Sequence, residues 1–98
     1  MTRHFVKVLF DVHCEWAGQA PDYRVFVNDE LFTERTFNFT DAYLEEMLQI
    51  EAPAGKYAIR CELVPPAIAS LRMENLRVEY GPANIKGSNL LRIRDEMA

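Results

Sequence analysis

The side chains suited to nucleophilic chemistry are few: Ser70 and Ser88, Cys14 and Cys61, with His4 and His13 as the only imidazole bases. Neither serine sits in a Gly-x-Ser-x-Gly context, and both histidines fall in one stretch near the start of the chain. His13 and Cys14 are neighbours, and neighbours on a strand point to opposite faces, so they do not form a dyad. The cysteines lie far apart, outside Cys-x-x-Cys spacing, which argues against structural zinc. Two free thiols acting as small hydrophobes are expected, with a disulfide between neighbouring strands as the alternative. The sequence leads us to expect no enzyme.

Carboxylates are more numerous. Glu45 and Glu46 are adjacent, Asp29 and Glu30 share a turn, and Glu30 and Glu34 flank a strand start. A hydrolytic pair needs a cleft, so these acids read as solvated charges that keep strand edges from pairing. A second use is calcium. Asp22, Asp29, Glu30 and Asp41 sit in or beside turns where hard oxygen ligands converge, although EF-hand spacing is absent. Trp16, Tyr23, Tyr43, Tyr57 and Tyr80 raise a sugar-stacking platform against a core reading. Trp16 and Tyr23, which flank the Ala17–Asp22 loop, are its first candidates as ligand residues. Asn38-Phe39-Thr40 matches a glycosylation sequon and is read as chance.

The charge balance narrows the partners. Fifteen acids against eleven Lys and Arg give a net charge of −4, and Arg72, Arg77, Arg92 and Arg94 are interleaved with Glu74, Glu79, Asp95 and Glu96. That pattern fits cross-strand ion pairs rather than a phosphate track, so no nucleic acid is expected. No apolar run approaches ~18 residues and no basic-then-apolar leader opens the chain, so neither a membrane span nor a signal peptide is expected. Ninety-eight residues that are 49% hydrophobic and 27% charged make one domain, residues 1–98, with a modest core.

The elements that must position these residues are strands. Val6, Val8, Phe10, Val12, Cys14 and Trp16 occupy consecutive even positions, the period of a strand with one face on a core. Its length calls for a bulge or bend. Tyr23–Val27 and Leu31–Phe39, joined at Asn28-Asp29-Glu30, read as a hairpin. Phe26, Phe32, Phe37 and Phe39 cannot all face one core, so the hairpin should be covered on both sides. Thr40–Ala52 contains good helix formers, but a turn near Thr40-Asp41 and a strand over Leu44–Glu51 suit the parity better. Pro53-Ala54-Gly55 turns into a strand over Tyr57–Leu63, which Pro65-Pro66 ends. From Leu71 to Tyr80 the apolar parity changes across Glu74-Asn75, which fits a β-bulge. Asn84–Asn89 reads as loop and Leu90–Arg94 as a last short strand. The sum is an all-β, single-domain antiparallel β-sandwich of seven or eight strands, with at most one short helix.

The phrases Pro21–Leu31, Tyr43–Met47, Pro53–Tyr57 and Asn75–Pro82 carry a resemblance. The chain resembles small proteins encoded by tailed phages of the T4-like and cyanobacterial type. In order of elements it is also similar to jelly-roll carbohydrate-binding modules of the calcium-dependent xylan-binding kind. The first resemblance implies a structural accessory component of a phage particle, a capsid decoration, neck or tail protein located in the virion. Its partners would be other virion proteins or further copies of itself. The second implies a calcium-dependent glycan binder, but its ligand residues find no match here. Adhesion needs exposed apolar side chains on strand faces. Phe26, Phe32, Val64 and Leu9 lie out of parity with the core, and Phe26 and Phe32 are the expected interface.

Overall fold

The computed structural model describes residues 2–38, 43–65 and 68–95, all of them in strands or short connections. In chain order the strands are β1 (Arg3–Trp16), β2 (Asp22–Val27), β3 (Glu30–Thr36), β4 (Leu44–Pro53), β5 (Gly55–Leu63), β6 (Ala69–Tyr80), β7 (Ala83–Lys86) and β8 (Leu90–Ile93). They form two antiparallel sheets, ordered β4-β1-β6 and β3-β2-β5-β8-β7, packed face to face as the expected sandwich.

The even residues of β1 organise the interior. Val6, Val8, Phe10 and Val12 have no exposed surface, and Leu48, Ile50 and Ala52 of β4 lie beside them in the same sheet. Tyr23 and Val25 of β2, Ile59 of β5, and Leu91 and Ile93 of β8 meet them from the other sheet. Burying side chains of this size contributes about 1.5 to 3 kcal/mol each. The molecule is long, 52 × 22 × 19 Å. Its accessible surface, 6264 Å², exceeds the ~5,800 Å² expected for a compact chain of its mass.

Local chemistry sets the turns. Asn28 and Asp29 both have positive φ, 50° and 66°, as a two-residue hairpin of the primed kind requires. Asn28 also stitches this turn to β5: its Oδ1 accepts the Ala58 amide at 2.7 Å. The pairing of β1 with β6 shifts twice, and Asn75, with φ of 58°, sits at the second shift, where the parity changes. Gly81 has φ of 104° and packs so closely that a Cβ would lie 2.5 Å from the Phe5 carbonyl oxygen. No other residue fits there.

The strand expected over Leu44–Glu51 is present as β4, Leu44–Pro53, in place of the helical alternative, and two other expectations change. Strand β7, Ala83–Lys86, overlaps the loop expected over Asn84–Asn89 and is hydrogen-bonded to β8 with Ala83 and Ile85 turned inward. The hairpin β2–β3 is not covered on both sides, because β3 is exposed along nearly its whole length. The turn proposed at Thr40-Asp41, Phe39 and Pro66 lie outside the described residues.

Candidate functional site

The alternation that buries Leu48, Ile50 and Ala52 also turns Glu46 inward. Glu46 stands opposite Phe10 on β1 and is only 2% exposed. Glu46 is therefore not one of the solvated edge charges expected of the Glu45–Glu46 pair. A buried carboxylate is costly unless its oxygens are occupied. Both are: the Tyr23 hydroxyl donates to Oε2 at 2.6 Å, and the Arg35 guanidinium Nε meets Oε1 at 2.7 Å. Tyr23 and Arg35 are register partners on β2 and β3, so they face the same way. One carboxylate on the edge strand of the small sheet thus ties down the edge of the large one.

Two side chains beside Glu46, those of Tyr23 and Cys61, hold their protons tightly. Burial, then the hydrogen bond to Glu46, raises Tyr23 well above the usual phenol range. Cys61 on β5 is pushed up to about 12, first by burial and then by the Glu46 charge. Burial also raises Cys14, with Glu15 adding to it. Both thiols are free, and at neutral pH both remain protonated and poor nucleophiles. Glu46 is closed to substrate and its oxygens are occupied, so the arrangement is a clasp between sheets.

Beyond the clasp, the same side of the sandwich opens into a groove of about 260 Å³. Leu31 and Phe32 of β3 and Tyr57 of β5 line it from the large sheet, Ile50 and Ala52 of β4 from the small one, and Arg3, Glu30 and Glu51 add charge to its lining. Leu31 is 58% and Phe32 43% exposed. The β2–β3 register skips Phe32, making it the bulge residue of a strand whose other side has no neighbour among the described strands.

The residues singled out from sequence end up in different places. Phe32 lies on the groove, while Phe26 is on the outer face of the large sheet, with the Arg60 guanidinium 4.2 Å from its ring centre. Trp16 is half-buried against the core. Tyr23 has no exposed surface, so it offers no face to a sugar, and its position corrects the loop-flanking ligand reading. Leu9 and Val64 are half-buried. His13 lies 3.2 Å from Glu74 and stacks on Tyr43, and His4 lies 3.7 Å from Asp95.

The acids proposed for calcium do not converge. Asp22 accepts the Thr36 hydroxyl at one end of β2, while Asp29, beyond its other end, pairs with Arg60 at 3.0 Å. Glu30 opens β3 beside the groove, and Asp41 lies outside the described residues. Among the described residues, no group of three His, Cys, Asp or Glu is placed to hold a metal ion.

The signal for Glu46 was its parity with Leu44, Leu48 and Ile50; Leu31 had none, since its exposure depends on the bulge beside it. Compared with known protein families, curated proteins and solved structures, the chain matches none.

Proposed function

We propose that this chain is a non-catalytic binding module that joins a larger protein assembly through the open edge of β3 and the groove beside it. The observation that carries the reading is the exposed Leu31–Phe32 step on an edge strand. Edge strands are normally protected by charges, bulges or covering elements. Glu30, Glu34 and Arg35 supply charge along β3, yet two adjacent large apolar side chains remain in water. An extended partner segment can pair with the free side of β3 while its side chains enter the groove. Aromatic and aliphatic anchors of this kind dominate contact energies, at about 2 kcal/mol or more each when fully desolvated. The carboxyl clasp behind the strand holds the edge in place before a partner arrives, which lowers the ordering cost of binding.

The resemblance to small tailed-phage proteins names the assembly to examine first, a phage particle to which the protein would be a structural accessory. The double change Leu31→Ser with Phe32→Ser tests the proposal. It should leave a folded protein, because neither side chain belongs to the buried core, yet one that no longer co-sediments with the assembly. Normal co-sedimentation of this variant would contradict the reading.

A further inference from the structure

Elsewhere on the molecule, arginines stand against acids. Arg3, Arg24, Arg35, Arg60, Arg72 and Arg77 each contact a carboxylate. Even the like-charge neighbours Asp11 and Glu45 on β1 and β4 are reconciled by Arg77, which reaches both. The outer corner of the large sheet departs from this pattern. Lys56 on β5 stands directly opposite Arg92 on β8, and Arg92 stands opposite Asn84 on β7. In the next row Leu90 stands opposite Lys86. Tyr57, Ile85, Leu91 and Ile93 pack on the core, so alternation turns Lys56, Asn84, Lys86 and Arg92 to the outside.

Three cations therefore share a patch of about 10 by 7 Å, from the usual spacings of strands and rows. The chain is free of Asp and Glu from Tyr80 to Arg94 and from Ala52 to Cys61. Asp29 and Glu62, the acids on the adjoining part of this sheet, are both engaged by Arg60. Like charges directly opposite across a strand pair are destabilising. In a chain with an excess of acids, three cations with no counter-charge among the described residues depart from local consistency as binding sites do.

We propose that this corner docks a carboxylate-rich extended segment of a partner protein. Same-side residues of an extended peptide repeat every ~7 Å, which matches the row spacing of the sheet. The guanidinium of Arg92 suits bidentate recognition of a carboxylate. Among the described strands β7 has a neighbour on one side only, so the segment can pair along its other side. Nucleic acid is the poorer fit, since it has no extended peptide backbone to pair with the edge of β7.

The probe is a fluorescent eight-residue peptide alternating Glu and Thr, compared with its Gln and Thr counterpart by anisotropy in low salt. The Glu peptide should bind at least tenfold more tightly than the Gln peptide. Lys56→Ala with Arg92→Ala should lower its affinity at least tenfold, whereas Lys7→Ala on the other sheet should leave it unchanged. The double variant should also melt no lower than the wild type, because it removes a repulsion. The proposal is overturned if the Glu peptide does not bind, if the Gln peptide binds equally, or if the double variant binds as well as the wild type. Tighter binding of an oligothymidylate of similar length would overturn it in favour of phosphate recognition.

Discussion

The phenol of Tyr23 and the carboxylate of Glu46 meet at 2.6 Å across the two sheets, both in the interior. Arg35 completes the clasp from β3. Removing Arg35 strands a buried negative charge, whereas removing Tyr23's hydroxyl takes away one neutral donor. Arg35→Ala should therefore cost about 3 kcal/mol and Tyr23→Phe about 1 to 2 kcal/mol. Their costs should not add, because both act on Glu46. Urea titrations of the two single variants and the double variant test this. Equal and additive small losses would mean that Glu46 is not held as described.

Phe10 sits at the centre of the core with no exposed surface. Phe10→Ala should destabilise the protein by about 3 to 5 kcal/mol through lost burial and the cavity left behind. A loss below about 1 kcal/mol in the same titration would contradict its placement.

Gly81 combines positive φ with close contact to the Phe5 carbonyl. Gly81→Ala should cost about 2 kcal/mol or more, since both the backbone angle and the spacing oppose a methyl group. Gly87 has φ of 66° with open space around it, so Gly87→Ala should cost less. A pair of thermal melts in the reverse order would contradict the contact at β1.

Cys61 gives a pH dependence whose sign can be worked out. In the folded chain its thiol is held up to about 12, against 9.0 for the ordinary thiol. The unfolded chain loses that proton first, so rising pH favours unfolding. The contribution of Cys61 is complete below about pH 9 and is lost progressively as pH approaches about 12. Tyr23, also raised, acts in the same direction at higher pH. Denaturant midpoints between pH 8 and 11 should fall, and Cys61→Ala should fall less steeply. An unchanged slope would show that the thiol does not carry the effect. Alkylation of native Cys61 at pH 8 should likewise be slow.

Much of the fold was legible because β1 alternates without interruption, and the parity change at Glu74-Asn75 marked a real bulge in β6. β7 was missed because a four-residue edge strand carrying Asn84 and Lys86, next to Gly87-Ser88-Asn89, has the composition of a loop. Glu46 was misread for a different reason. Its position shared the core parity of β4, but a carboxylate is a core residue only when distant strands supply partners, and Tyr23 and Arg35 lie 23 and 11 positions away. Phe26 and Phe32 share a parity opposite to that of the core, yet the bulge at Phe32 interrupts the alternation, so the two rings lie in different surroundings. The basic corner is assembled from β5, β7 and β8, and only the cross-strand register shows it.

The central claim, that the β3 edge is the contact surface, is tested most directly by placing a photo-crosslinking phenylalanine analogue at Phe32. The assembled protein is irradiated, and the products are compared with those from the same analogue at half-buried Leu76 of β6, in the other sheet. The account predicts a discrete crosslinked partner from position 32, weakened by Leu31→Ser and absent from position 76. A partner captured from position 76 and none from position 32 would contradict it.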